Sequence, residues 1–433
     1  VRKPRRPMRL TSLTFENFRG FEKFALTFPA AGPTVLVGRN GSGKSTVVDG
    51  IAIALGGWLS GFRDVAAADL RPIVKEDARL VGFERCWPID VSATALFGRR
   101  EVLWSRSLAN VRSRTKTQGK DLFAAAANAE KHITEASTTL PLVADYATGR
   151  LWLSKRKGRT FEKGPLSRTA GYLAALESAN DTHRFSDWLR RESSGMEGGV
   201  VPESLRGLAR PLSALFEKDV GTYWTAVFEE PTLVLPNERS KPVAVPISHL
   251  SDGQRSLFLL ATDLFWRAYT LNPHFGENAA AETPGVVLID ELDLHLHPAW
   301  QATVLANLQK AFPKLQFIVT THAPILIAAA PAGSVLELDP KLPDGWRPLP
   351  HLHGQDANGV LDRLDVPARP EATRQAIDAL AEAIDAGNFA EARRRLAALA
   401  IQLGENDAAV VAARWDLKFA EGDGDADATK DEA

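Results

Sequence analysis

The sequence predicts an α/β protein built on a mixed, largely parallel sheet. It adds an antiparallel β subdomain, a helical insertion and a small α-helical domain toward the C-terminal end. Three observations carry this reading. Between 246 and 320, short apolar runs alternate with amphipathic helical runs, the pattern of parallel strands joined by helical crossovers. Residues 80–108 alternate polar and apolar side chains over several short runs, which marks antiparallel strands. From Pro367 onward the composition shifts to Ala, Arg, Leu and Glu, the residues of a helical domain.

Along the chain, 10–15 and 24–28 read as strands with a turn at 17–20. Residues 33–37 form a short buried strand that runs into a Gly-rich loop, and 45–55 read as the helix after it. Residues 112–131 are basic and Ala-rich, loop and helix, and 140–240 mix helical runs with many Gly and Pro. The stretch 254–270 is an amphipathic helix with Leu257, Leu260, Ala261, Leu264 and Phe265 on one face. A buried strand follows at 286–289, then a helix at 298–312 opened by Pro298, then another strand at 317–320. Three helices at 371–386, 389–403 and 407–420 break at Gly387-Asn388 and at 404–406. Residues 421–433 carry many acids and no aromatic residue, the composition of a disordered tail. The domains expected are a basic arm at 1–8, a main domain at 9–355 with an insertion near 100–245, a helical domain at 356–420 and the tail.

Charge excludes a whole-molecule field for polyanions, because 52 basic residues face 53 acidic ones. Cys86 is the single cysteine, so no intrachain disulfide forms and no Cys-rich metal motif exists. No run approaches the roughly 20 apolar residues that span a bilayer. The basic arm lacks an apolar run behind it, Met8 is a candidate start, and a bacterial cytoplasmic protein without membrane contact is expected.

Four elements carry chemistry. The first is Gly38-Arg39-Asn40-Gly41-Ser42-Gly43-Lys44-Ser45, a G-x-x-x-x-G-K-[ST] loop between a strand and a helix. Triphosphate oxygens need many donors at short range, which turned backbone N–H groups and a helix N-terminus supply. Lys44 reaches the β/γ-phosphates and the Ser45 hydroxyl ligates Mg²⁺. The pattern arises by chance in about one chain in a hundred of this length, so its placement between strand and helix adds weight. The second element is the apolar run from Val286 into Asp290-Glu291. Asp290 would hold Mg²⁺ and Glu291 would polarise the attacking water as general base. Many buried strands end in an acid, so this element means little alone. The third is Leu250-Ser251-Asp252-Gly253-Gln254, which is both an S-x-x-Q capping box and an anion site at a helix N-terminus. The fourth is Thr320-Thr321-His322-Ala323-Pro324, directly after a strand and on the sheet edge where ligands of parallel sheets bind.

These four elements, in this order, resemble the ABC-type ATPases. The resemblance implies Mg²⁺-dependent ATP hydrolysis and a head-to-tail dimer or higher oligomer. Each nucleotide would lie between the loop of one protomer, Gly38 to Thr46, and Ser251, Gly253 and Gln254 of the other. It implies catalytic roles for Lys44, Glu291 and His322, with His322 as the switch that senses the γ-phosphate, and metal contacts for Ser45 and Asp290. A Gln completing the magnesium shell is expected before the third element; no residue is fixed for it, and Gln118 is one candidate. The segment Leu292-Asp293-Leu294-His295-Leu296-His297-Pro298 is similar to the RecF/OLD branch. So is the opening Phe15-Glu16-Asn17-Phe18-Arg19-Gly20, which the resemblance places near the nucleotide through Asn17 and Arg19. About 200 residues without sustained heptads separate Lys44 from Ser251, which disfavours long coiled-coil ATPases.

The late stretches His353–Leu361, Val366–Pro370 and Ile384–Ala392, with Tyr146–Trp152, resemble the Septu-type (PtuA) and retron-associated ATPases of antiphage defence. That resemblance implies an HNH-type endonuclease partner, with this chain as ATP-gated sensor and regulator and no intrinsic nuclease. The alternative is a RecF-like repair or replication ATPase acting directly on DNA, and a third is a clamp that binds ATP without hydrolysis. His295 and His297 face one way if extended, but no third zinc ligand is evident, so packing or dimer contact is preferred. His351 and His353 read as a turn into a helix capped by Asp356. Two basic clusters could touch DNA or RNA: Arg99, Arg100, Arg106, Arg112, Arg114 and Lys116, and Lys155, Arg156, Lys157 and Arg159. Such runs are usually solvated faces, so the family rather than the charge favours contact.

Overall fold

One nearly all-buried helix lies between two sheets, and this arrangement positions everything that follows. The computed structural model describes residues 8–135, 137–148, 167–177, 182–194, 201–217, 221–225, 230–235, 241 and 243–428. Two compact units divide between Val360 and Leu361.

The first unit opens with the strands β1 (Arg9–Phe18), β2 (Phe21–Thr27) and β3 (Thr34–Val37), then the helix α1 (Lys44–Leu59). The strands β4 (Leu80–Val81), β5 (Glu84–Arg85), β6 (Ile89–Phe97), β7 (Arg100–Leu108) and β8 (Lys116–Gln118) follow, then α2 (Lys120–Lys131) and β9 (Leu142–Tyr146). The insertion contributes α3 (Thr182–Ser194), α4 (Glu203–Phe216), β10 (Gly221–Thr225), β11 (Glu230–Leu235) and β12 (Val243–Pro246). The regular stretch after it holds α5 (Asp252–Leu271), α6 (Ala279–Glu282), β13 (Gly285–Ile289), α7 (Pro298–Gln301), α8 (Val304–Ala311), β14 (Leu315–Thr320), α9 (Pro324–Ala329), β15 (Val335–Leu338) and β16 (Trp346–Pro348).

Strands β2-β1-β6-β7-β8 make an antiparallel sheet, and β16-β15-β3-β14-β13-β9 make a mixed sheet whose five strands from β15 to β9 run parallel. The chain is thus an α/β protein of the class that the sequence predicts. Strands β10-β11-β12 form a small third sheet, and β4-β5 a hairpin. Helix α1 packs on β6 and β7 on one side and on β9 and β14 on the other. Thirteen of its residues are buried, so it shows no single apolar stripe. Alternation is clear in β6, where Ile89, Val91, Ala93 and Ala95 point inward and Asp90, Ser92 and Thr94 outward. Parallel β13 and β14 are buried on both faces and read as unbroken apolar runs.

Several expectations shift in detail. The helix expected at 298–312 is two, α7 and α8, parted at Ala302-Thr303, and the His297 ring nitrogen Nδ1 accepts from Ala299 N to cap the first. Residues 142–146, expected in a loosely organised region, are the edge strand of the central sheet. Arg106 is not part of a surface cluster. It is buried, and its guanidinium donates to the carbonyls of Ile53, Leu70 and Arg71, which ties β7 to the end of α1. Asp356 Oδ1 accepts from Gly359 N at 2.7 Å and so opens α10 (Ala357–Arg363), which crosses the division between the units.

In the second unit, α11 (Glu371–Asp385), α12 (Phe389–Leu403) and α13 (Ala408–Ala428) pack around Leu380, Ile384, Ala392, Leu399, Val410 and Leu417. The Asn388 side chain caps α12 by accepting from Glu391 N, and Arg369 forks onto both oxygens of Asp407 at 2.8 and 3.1 Å. The acidic tail expected from 421 is corrected: α13 continues to Ala428. Packing of Val410 and Leu417 and the ion pair from Arg393 to Glu421 hold the helix past the point where composition alone would end it. The basic residues at 1–7, residues 149–152, the cluster Lys155–Arg159 and residues 429–433 lie outside the described residues.

Candidate functional site

The loop between β3 and α1 turns on glycine. Gly38, Gly41 and Gly43 take φ of 146°, 80° and 98°. Gly43 is the residue before α1, and a Cβ there would stand 2.6 Å from the Phe21 ring, so no other residue fits both the turn and the neighbour. The loop thus delivers the N-terminus of a long helix, with its unpaired N–H groups, to one end of the sheet. Lys44 Nζ donates to the carbonyls of Gly38 and Arg39 at 2.9 and 3.1 Å. Burial lowers the pKa of its ammonium group, against Asp290 and Glu291, which raise it.

The acids arrive from the neighbouring strands. Asp290 and Glu291 follow β13, and Ser45 Oγ donates to Asp290 Oδ2 at 3.1 Å. Thr320, the last residue of β14, donates to Asp290 Oδ1 at 2.6 Å. Glu291 adopts a left-handed φ of 49°, which turns the chain sharply at the acid. Loop, acids and His322 line one cavity of about 230 Å³, with Asn40, Gly41, Gly43, Lys44, Ser45, Thr46, Asp290, Glu291, Thr320 and His322 in its wall. A larger groove of about 890 Å³ shares Gly41, Gly43 and Thr46 with it and continues past Phe21 and Phe24 to Leu342 and Pro343. A polar cavity of phosphate size joined to a groove with aromatic and apolar walls suits a nucleotide. Ser45 and Asp290 present two converging oxygens, a donor set that fits a hard divalent cation such as Mg²⁺.

Ser251, Gly253 and Gln254 sit together at the N-terminus of α5, as the capping box predicts. Ser251 Oγ accepts from Gln254 N, and Gln254 Oε1 accepts from Ser251 N. Gly253 lies against the turn after the acids, where a Cβ would meet the His295 carbonyl oxygen at 2.6 Å. None of the three lines the cavity at the loop. The structure therefore brings the first, second and fourth elements together and keeps the third apart on an exposed helix end.

Asn17 and Arg19 do not join the site, and Gly38 and Arg39 reach it only as carbonyl partners of Lys44. Arg19 pairs with Asp49 at 2.6 Å and Asp77 at 3.0 Å, and Asn17 donates to the Pro88 carbonyl; neither lines the cavity or the groove. The acids on α1 and beyond β2 draw the guanidinium inward, and it is the next residues, Gly20 and Phe21, that reach the groove. Gln118 lies on β8 at the far edge of the antiparallel sheet, exposed and away from the acids. Among the described residues no cluster of three or more His, Cys, Asp or Glu could hold a metal, which includes His295 and His297.

Sequence reasoning missed Phe21, Phe24 and Asp145, and gave Thr320, within the fourth element, no role of its own. Asp145 lies on β9 level with Leu288, is 4% exposed, and has one carboxyl oxygen without a partner among the described residues. Burial pushes its pKa up to about 8, and the carboxylates of Asp49 and Asp290 add to the rise while Arg71 opposes it.

Comparison with known proteins gives related sequences over parts of the chain. Residues 138–328 match the family described as "AAA domain, putative AbiEii toxin, Type IV TA system", and residues 12–182 match one described as "AAA domain". The chain is 31% identical over 168 residues to the Septu protein PtuA of Bacillus mycoides, which covers 37% of this chain and 21% of that one. It is 42% identical over 87 residues to "Retron Vc95 probable ATPase" of Vibrio cholerae, covering 19% of this chain and 16% of that one. The chain thus spans about a fifth or less of the length of these curated relatives. Among solved structures, an SMC head bound to the C-winged helix domain of ScpA aligns with a TM-score of 0.46 at 17% identity, over 78% of this chain and 97% of that one.

Proposed function

We propose that this chain, an ABC/RecF-type ATPase related to those of the Septu and retron defence systems, binds and hydrolyses ATP at a site that a second copy completes. One observation carries the reading. The loop, both acids and His322 line one cavity, while Ser251–Gln254 cap a helix end that does not line it in the same chain. The backbone N–H groups at such a helix end can donate to phosphate oxygens on another molecule.

The residues divide the work as follows. The N–H groups from Gly41 to Ser45 and the Lys44 ammonium bind and orient the β- and γ-phosphates. Phe21, Phe24 and Leu342 offer a surface for the nucleoside. Ser45 and Asp290 would hold Mg²⁺, which when bound neutralises charge on the β- and γ-oxygens. Glu291 takes the proton from the attacking water, and His322, which lines the same cavity, contacts the terminal phosphate. Closure by Ser251 and Gly253 of the second copy excludes water and adds N–H donors to the oxygens that gain charge.

The chain acts in this proposal as the ATP-gated regulator of a nuclease of HNH type, itself without nuclease activity. The relationship to the Septu and retron ATPases supports this. Exposed Arg99, Arg100, Arg112, Arg114 and Lys116 supply a surface for DNA or RNA. Among the described residues no helix is long and apolar enough to cross a membrane.

The test is steady-state turnover with Mg²⁺ and ATP in the wild type and in Glu291→Gln. The wild type should hydrolyse ATP. The variant should bind ATP, accumulate an ATP-bound dimer and lose turnover by about 100-fold or more. Wild-type turnover in the variant would contradict the general-base assignment. The regulatory role predicts a neighbouring nuclease gene whose product co-purifies with this chain on co-expression, and a nuclease-free oligomer would count against it.

A further inference from the structure

One buried threonine holds three consecutive residues of the acid segment, two through its hydroxyl and one through its carbonyl. Thr320 is 0% exposed and ends β14 beside β13, whose last residue Ile289 is level with Val319. Its Oγ1 donates its one hydrogen to Asp290 Oδ1 at 2.6 Å and accepts from Glu291 N at 2.7 Å, while its carbonyl oxygen accepts from Leu292 N at 2.9 Å. Because the acceptor Asp290 is a carboxylate, the hydroxyl proton has one place to go, and the lone pair is left for the Glu291 N–H. That N–H belongs to a residue in the left-handed region, φ 49°, a conformation unfavourable for a non-glycine residue that persists where neighbours hold it. The other oxygen of Asp290 accepts from Ser45. A continuous chain of hydrogen bonds thus runs from the loop helix through Asp290 and Thr320 to the backbone of Glu291. Thr321 repeats the device one residue on: its Oγ1 donates to Asp293 Oδ1 at 2.5 Å and accepts from Ala323 N at 3.0 Å. His322 stands between these buried residues and the helix that follows, and is itself exposed to the cavity.

We infer that Thr320 is a positioning residue for the hydrolysis, one that sets the direction of the Asp290 carboxylate and the backbone of Glu291 together and ties both to the strand that carries His322. The inference rests on the ATPase reading above. Its hydroxyl is committed to Asp290 and the Glu291 N–H, so it acts through the two acids. Without the hydroxyl, Asp290 loses its fixed rotamer and Glu291 loses the bond that holds its backbone turn, so the base points away from the water and the metal oxygens spread. Ser at this position keeps both hydrogen bonds. Val keeps the shape and loses both.

The experiment measures kcat, KM for ATP and the Mg²⁺ concentration that gives half-maximal turnover in the wild type, Thr320→Val and Thr320→Ser. Thr320→Val should lose kcat by roughly 100-fold, the scale of a displaced general base, with KM for ATP within about threefold and a Mg²⁺ requirement raised about tenfold. Thr320→Ser should stay within about fivefold of the wild type in all three. Wild-type kcat and Mg²⁺ dependence in Thr320→Val would overturn the inference, and so would equal losses in the Val and Ser variants. A purely structural role would lower thermal stability without splitting kcat from KM. If Thr320→Val does not fold, Thr320→Ala against Thr320→Ser decides by the same comparison. A wild type with no turnover would instead remove the ATPase reading, and this inference with it.

Discussion

Ser45 and Asp290, separated by 245 positions in sequence, meet through a hydrogen bond of 3.1 Å in the wall of the candidate cavity. The bond joins the first turn of α1 to the end of β13, so the two halves of the candidate metal site come from elements that fold against each other through the central sheet. Replacing Asp290 with Asn keeps the shape and removes the charge. Mg²⁺-dependent ATP affinity should fall at least about tenfold, or about 1.4 kcal/mol, while affinity measured in EDTA should barely move. Equal affinities with Mg²⁺ present in wild type and variant would remove Asp290 from the metal site.

A second prediction concerns pH. The Asp145 carboxyl titrates near 8 in the fold, against an ordinary 3.8. Between those values the folded chain keeps a proton that the unfolded chain has lost, so the folded state binds more protons and stability falls as pH rises through the window. The loss at pH 8 is at most about 5 kcal/mol, since every tenfold difference in proton affinity between the two states is worth about 1.4 kcal/mol. Asp145→Asn removes the titration. Its unfolding midpoint in urea should change less between pH 5 and pH 8 than that of the wild type. Parallel pH profiles for the two proteins would refute the assignment.

A third concerns nucleic acid. Arg112, Arg114 and Lys116 are exposed and alternate with Ser113, Thr115 and Thr117, of which Thr115 is held inward by hydrogen bonds with the Ile73 backbone. If DNA or RNA follows this surface, log affinity should fall linearly with log salt. Changing all three residues to Ser should lower that slope by about 2–3, close to one for each phosphate no longer neutralised. An unchanged slope would place nucleic acid elsewhere. ATP turnover should be unaffected.

The geometry of the candidate site was largely legible in the sequence, and the reasons are physical. A phosphate loop is local: Gly38, Gly43, Lys44 and Ser45 must be close in sequence because the backbone itself makes the site. The acids after Val286–Ile289 and His322 after β14 were legible because ends of buried parallel strands meet on one sheet edge. Other features carried no such local signal. The strand Leu142–Tyr146 is buried throughout and has no alternation to read. Arg106 looks like its exposed basic neighbours, because charge alone does not say which way a β-strand residue points. Arg19 stands in an opening motif near the loop, yet Asp49 and Asp77, distant in sequence, claim its guanidinium. Thr320 and Thr321 stand beside His322 with nothing local to mark their role, since their partners Asp290 and Asp293 follow another strand.

If each site takes its phosphate loop from one copy and Ser251 from another, two dead variants should rescue each other. Lys44→Ala disables the loop, and Ser251→Arg blocks the helix end that faces the partner. Each alone should have no ATP turnover. In a head-to-tail dimer of the two, one interface combines the intact loop with the intact Ser251. An equimolar mixture should therefore regain about a quarter of wild-type turnover, from half the dimers carrying one site each. No recovery at any ratio, with mixed dimers present, would contradict a site shared between copies.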